Sequence, residues 1–289
     1  MAEQVGPKPL DIRPSVSKPD LATIAGLIVA FGGILGGLLL EGGKIRDVAQ
    51  VTAALIVVGG TVGAVLVTTP PQILLRAAKK LNLIFLDKVQ DPQHAIDMII
   101  SLATKARKHG IMSLEQDADN IPDAFLRKAL NLAVDGTDLD DIRQMMELEM
   151  AIEEQHSEAE AKVFESAGGY APTIGIIGAV LGLIQVMKHL ENIEEVGRGI
   201  AVAFVATVYG VASANLFLLP AANKLRARLH CATRNKELLL EGVVAIVEGL
   251  NPKLIRIRLE AYTRVGVGAA AARPALVSAE SRSAAQSGT

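Results

Sequence analysis

Ala167–Gln185 reads AGGYAPTIGIIGAVLGLIQ, nineteen residues without one charged side chain. That is about the length an α-helix needs to cross the hydrocarbon core of a bilayer. Gly175, Gly178, Ala179 and Gly182 recur at helical spacing. Small residues so spaced let a neighbouring backbone approach closely in lipid. Pro172 sits near the start of the run, and a second apolar run, Ala201–Leu219, ends at Pro220. A helix without ionisable groups can wall a path but cannot itself bind a proton or a metal. The two runs read as walls of a site whose reactive group comes from another protein.

Composition supports a membrane setting. Half of the 289 residues are hydrophobic, only 3% are aromatic, and there is no Trp. Such a balance suggests helices of Ala, Gly, Val, Ile and Leu rather than a soluble core. The net charge of −2 gives no reason to expect nucleic acid. A single cysteine, Cys231, excludes an internal disulfide and leaves little room for a thiolate metal site. No small-residue cleavage site follows the first apolar stretch, so an uncleaved membrane helix is expected there rather than a signal peptide.

In chain order the expectation is an all-α integral membrane protein with four transmembrane helices. Residues 1–20 read as a disordered tail. A transmembrane hairpin over 21–70 holds spans 21–40 and 51–68, with Gly32, Gly33, Gly36, Gly37, Gly59 and Gly63 in close-packing spacing. A large helical cytoplasmic insert follows over 71–165, with turn signals at Asp91–Pro92, Ile121–Pro122 and Asp135–Gly136. Leu139–Glu165 lacks Pro and Gly and should run as one helix into the third span. A second membrane pair over 166–220 holds spans 167–187 and 199–219. Residues 221–264 form a cytoplasmic C-terminal helical region, and the Ala/Ser-rich residues 265–289 read as a disordered tail.

Basic residues set the orientation. The two short loops hold two Lys or Arg each, against eleven in the insert and eleven after the fourth span. Both termini and the insert are therefore expected in the cytoplasm, with the two short loops outside. Pro172 and Pro220 then lie at similar depth near the cytoplasmic face. Two readings fit them: proline tolerated in a first helical turn with a simple kink at the exit, or a paired hinge.

None of the four spans contains Asp, Glu, Lys, Arg or His. Intramembrane ionisable groups ordinarily mark ion pathways, so either this chain only scaffolds or a partner helix brings the carboxylate. Thr207 is the best candidate for a hydroxyl facing that partner. The alternative is a hydroxyl bonded back to its own helix. Outside the membrane, residues 72–165 carry eleven basic and eighteen acidic residues, whereas 221–264 carry nine and four. These opposite balances suggest that the C-terminal helix packs on the insert. Enzyme readings fail for lack of parts: the five His show no ligand spacing, and there is no P-loop or nucleophile elbow. No catalytic residue, metal ligand or cofactor is expected.

Four blocks carry a resemblance that covers residues 21–264. They are LEGG at Leu40–Gly43 with GGTVGA at Gly59–Ala64; KARKHGIMSLE at Lys105–Glu115; FESAGGYAPTIGIIGAVLGLI at Phe164–Ile184; and LEGVVAIVEGLNPKLIRIRL at Leu240–Leu259. Together they resemble the A subunit of the bacterial flagellar motor stator, the MotA/PomA family within the MotA/TolQ/ExbB group. The resemblance implies a homopentamer of A subunits around two copies of a B-type subunit that supplies the ion-binding aspartate. It implies that Pro172 and Pro220 couple ion passage to movement, and that Arg107 and Glu115 contact the rotor protein FliG. Sodium-type members carry threonine where Ala179 stands, and a Thr-Thr pair where Ala206–Thr207 stands. The transported ion implied here is therefore a proton. The alternatives are a TolQ/ExbB-like energy-transducing complex and a sodium-driven stator. Membrane lipid is the only other partner implied, and no nucleic acid.

Overall fold

The computed structural model describes residues 17–88 and 92–264. Nearly all of them are helical. Helix α1 spans Leu21–Leu40, α2 Ile45–Val48, α3 Val51–Thr68 and α4 Pro71–Phe85. The insert continues with α5 (Pro92–His109), a 3-10 turn (Ile111–Leu114), α6 (Glu115–Asp119) and α7 (Ala124–Val134). Two long elements follow. Helix α8 runs unbroken over Leu139–Lys188. Helix α9 (Ile193–Ala212) passes through a π-helical segment, Ser213–Leu218, directly into α10 (Leu219–Val247). A turn then leads to α11, Pro252–Arg264.

Four helices are long and apolar enough to cross a membrane: α1, α3, α8 and the continuous 193–247 rod. At 1.5 Å per residue α8 is about 75 Å long, more than twice a bilayer core. Its first half must therefore stand in water. The acids of Leu139–Glu165 and the charge-free run after them are two solvents' worth of one helix.

In the insert, apolar residues at helical spacing decide the packing. Ile96, Ile99 and Leu102 of α5, Leu126 and Leu130 of α7, and Ile142 and Met146 of α8 are fully buried together with Leu238, Val243, Ile255 and Leu259 of α10 and α11. The C-terminal helices thus complete the insert's core. Their basic residues meet its acids as the charge balance suggests. Arg226 reaches Glu158 at 2.8 Å and Glu165 at 2.5 Å, Lys236 pairs with Glu153, and Arg256 lies 2.9 Å from Asp97. The Arg226 hydrogen bond holds the Glu165 carboxyl below its ordinary value. At Gly242 an added Cβ would fall 2.8 Å from Ile99 Cγ2, so α10 and α5 touch backbone to side chain. Ile99→Val should lower the insert's stability by about 1 kcal/mol, the usual loss for one buried methyl group, read as a small fall in thermal midpoint in detergent.

One of the two readings of Pro172 and two expectations need correction. Pro172 is not in a first helical turn: it lies inside α8, thirty-three residues beyond Leu139. The acidic segment is itself helical and leaves no break before the span. Second, α1 and α3 are not a packed hairpin. No residue of α1 is buried, and α3 turns its buried residues, Ala53, Val57, Thr61 and Val65, to other helices. Residues 41–50, with α2 inside them, are long enough to let the two helices part. Third, the tail expected over 1–20 gives way to order at residue 17. Ser17–Pro19 pairs antiparallel with Leu86–Lys88 as a two-stranded ribbon, the one exception to an all-helical chain among the described residues. Residues 1–16 and 265–289 lie outside the described residues.

Candidate functional site

Glycines decide how the two apolar runs meet. A Cβ built on Gly175 would lie 2.9 Å from the Ala206 carbonyl oxygen, and one on Gly182 2.8 Å from that of Gly199. On the facing helix a Cβ at Gly210 would lie 2.5 Å from the Ala171 oxygen and 3.2 Å from the Cα of Pro172. Gly175, Gly178 and Gly182 of α8 therefore mesh with Gly199, Ala203, Ala206 and Gly210 of α9. The backbones touch, as small residues allow where lipid gives no hydrophobic drive. This corrects one expectation: that small-residue surface is used within the chain, not around a partner. Gly59 and Gly63 of α3, and Gly32, Gly33, Gly36 and Gly37 of α1, have nothing within 4 Å among the described residues. In α3 it is Gly60 that meets α8, through Ile174.

The faces left outward on this pair are apolar. Ile176, Ile177, Val180, Leu181 and Ile184 of α8 and Phe204, Val208 and Val211 of α9 are all exposed. Ala179 stands half-buried at the margin of the glycine stripe. Thr207 is half-buried too, and its hydroxyl donates to the Ala203 carbonyl at 3.2 Å. That is the back-bonded alternative, the common resting place for a mid-helix threonine. Tyr209 has a role that its sequence position did not disclose. Its hydroxyl lies 2.5 Å from the Val48 carbonyl oxygen and accepts from the Gln50 N–H at 3.3 Å, tying α9 to the start of α3.

The two prolines face different neighbours. Pro172 is half-buried against α9. Having no N–H, it leaves the Gly168 carbonyl without its helical donor, and Gly168 packs against Leu218 and Leu219. Pro220 is exposed and stands just beyond the π-helical segment. The Leu219 N–H reaches back five residues to the Ala214 carbonyl. Ser213 Oγ and Asn215 Nδ2 add bonds to the Gly210 and Val211 carbonyls, at 3.1 and 2.9 Å. A widened turn with side-chain donors is how a continuous helix carries a proline without breaking. Pro220 looks across a crevice of about 310 Å³ toward Thr23, Gly26, Leu27 and Ala30 of α1.

Beside that crevice lies a group that no sequence motif marked. Asp20 caps α1, its Oδ1 accepting from the Thr23 N–H at 3.1 Å. Only 7% of it is exposed. Its Oδ2 meets Lys224 and, at 3.3 Å, Arg228, both on α10, while its own N–H donates to the Phe85 carbonyl of α4 at 2.9 Å. The Lys224 hydrogen bond, with the Thr23 N–H second, holds this carboxyl far below the ordinary range. The N-cap pattern Asp-x-x-Thr was the one available signal; the basic partners two hundred residues away left none.

Arg107 and Glu115 sit at the far end of the molecule. Arg107 is exposed in the last turn of α5 and Glu115 is exposed at the start of α6. Gly110, with φ +83°, makes the turn between them, a conformation that favours glycine. Lys105 and Asp117, 2.7 Å apart, clip the turn shut from either side. The structure thus presents both charges on one braced corner, well away from the α8–α9 crossing.

Comparison with known proteins agrees with this arrangement. A sequence model described as the MotA/TolQ/ExbB proton channel family matches residues 117–237, and one described as the motility protein A N-terminal region matches residues 24–110. Motility protein A of Bacillus subtilis (strain 168) is 34% identical over 244 residues, which cover 84% of this chain and 90% of that protein. Chemotaxis protein PomA of Vibrio alginolyticus is also 34% identical, over 86% of this chain and 96% of its own length. Among solved structures, C. jejuni MotAB superposes with a TM-score of 0.80 at 31% identity, covering 84% of this chain and 95% of that one. The flagellar MotAB stator complex from Bacillus subtilis gives 0.78 at 33%, covering 85% and 98%. With relatives of this identity matched over most of their length, the chain belongs to the MotA/PomA family within the MotA/TolQ/ExbB proton channel family.

Proposed function

We propose that this chain and a B-type membrane partner enclose a proton path between them, the partner supplying the acid. The chain is a flagellar stator subunit, a multi-pass inner-membrane protein whose torque is ion-driven. The observation that carries the proposal is the charge-free outward face of α8 and α9. An ionised carboxylate against that face would be costly, and a protonated one far less so. Loading and unloading the partner's acid would then change which wall it tolerates and step the A ring around it. Each charge crossing supplies about 2.3 kcal/mol per 100 mV.

In this reading five copies surround two B subunits, with termini and insert cytoplasmic. Pro172 and Pro220 are the places where α8 and the α9–α10 rod yield. Ala179 offers no side-chain oxygen and Thr207 offers one, too few to replace the hydration shell of a bare sodium ion. Swimming speed of cells carrying this chain and its partner should therefore be flat across a sodium titration at fixed pH; a speed that climbs with sodium would contradict the proton assignment. Arg107 and Glu115 pass the motion to FliG through their charges. Arg107→Glu combined with Glu115→Lys should leave membrane levels unchanged and abolish torque on a tethered-cell assay. Normal rotation in that double variant would remove the rotor role from this corner.

A further inference from the structure

Two apolar stripes in the water-facing half have no partner among the described residues. Met145, Leu148 and Ile152 of α8 are 39, 59 and 46% exposed, and form a shallow groove of about 440 Å³ with Lys128, Glu149 and His156. On α11, Leu254 and Ile257 are 56 and 68% exposed one turn apart. The surrounding charges are opposite. Between Leu139 and Glu160, α8 carries eight acids and one Arg, and α11 four bases and one acid. Glu149, Glu153, Glu158 and Glu160 are paired within the chain with Lys128, Lys236, Arg226 and Lys80, and Arg256 and Arg258 with Asp97 and Glu241, so the complementary charge is that of Asp140, Asp141, Glu147 and Glu154 against Lys253.

The stripes also lie on opposite flanks. Arg143 of α8 lies 3.7 Å from Glu241, which also holds Arg258 of α11. At 100° per residue, Met145, Leu148 and Ile152 stand between about 140 and 200° around α8 from Arg143. One stripe therefore faces away from the side on which α11 is anchored. Two complementary patches on opposite flanks make a heterologous, head-to-tail contact that repeats around a ring, not a two-fold one.

We propose that the α8 groove of one copy receives Leu254 and Ile257 of the next copy's α11. This rests on the reading of the chain as a ring-forming subunit and adds which faces meet.

Paired cysteines test it in the full-length chain, co-expressed with its B-type partner in membranes and carrying Cys231→Ser to remove the single native thiol. Leu148→Cys with Ile257→Cys should give, on mild oxidation, a ladder of cross-linked oligomers. The yield should be about tenfold above that of a control pair, Leu148→Cys with Met112→Cys, because a docked face raises the effective thiol concentration far above chance collision. Met112 is equally exposed, on the α5–α6 corner. Either cysteine alone should give monomers. Dimers from Leu148→Cys alone, or equal ladders from both pairs, would overturn the proposal. Native mass of the same complexes separates two failures. An intact oligomer without cross-links means that another face is used, whereas a single copy means that the ring itself is wrong.

Discussion

Gly210→Val is expected to leave no correctly packed protein in the membrane. The Cβ alone would sit 2.5 Å from the Ala171 oxygen and 3.1 Å from the Cα of Gly175. Both neighbours are backbone, so no side chain can turn aside to make room. Overpacking a well-filled core costs about 1–3 kcal/mol when side chains can shift; here two helices must separate along a stripe of four small contacts. The variant should be degraded or elute as aggregate on size exclusion, with motility lost. Gly59→Ala is the matched control, since nothing lies within 4 Å of that position among the described residues. It should retain expression, elution and swimming. A Gly210→Val protein that folds and swims would mean that α8 and α9 do not cross as described.

Asp20→Lys should have the second largest effect. The substitution sets a cation against Lys224 and Arg228 and removes the cap on α1. Breaking a buried pair costs about 3–5 kcal/mol, and the lower end applies because Lys224 keeps 33% of its side chain exposed. Helix α1 buries no residue of its own, so with the clasp gone its inner end should loosen from α4 and α10. Protease cutting near residue 20 and a lowered thermal midpoint would report it. Wild-type cutting rates in the variant would show that the clasp does not hold α1. Asp20→Asn gives the pH signature. A depressed carboxyl contributes its stability above the ordinary value of 3.8 and loses it as the pH falls through the lower folded value. The gap in midpoint between wild type and Asp20→Asn should thus be constant from pH 5 to 8, and shrink only in acid. A gap that narrows near neutrality would assign it to another group.

What the sequence discloses here is whatever a local pattern encodes. Apolar runs of bilayer length mark α1, α3 and the outer half of α8, and the absence of Pro and Gly over Leu139–Glu165 foretells a continuous helix. Charge balance between segments foretells Arg226 on Glu158 and Glu165. Partner choice for small residues is another matter. Six glycines of α1 and α3 share the spacing of Gly175, Gly178 and Gly182, yet only the latter meet a helix within the chain, because spacing allows close approach without naming what approaches. Pro172 misleads for a related reason: proline near the start of an apolar run suggests a helix start only if the preceding residues are not helical too. The Asp20 clasp joins residues far apart in the chain, and no periodicity reports such a pair. Arg107 and Glu115 are singled out only by the resemblance of the whole block around them, since isolated exposed charges carry no mark of purpose.

The unbroken course of α8 has a mechanical consequence. From Pro172 back to Leu139 there is about 50 Å of stiff rod. Each degree of tilt at the proline therefore swings the far end sideways by about 0.9 Å, at that rise per residue. A sub-ångström adjustment at the glycine seam that tilted α8 as one body would thus arrive where the insert is attached as a displacement of a few ångströms.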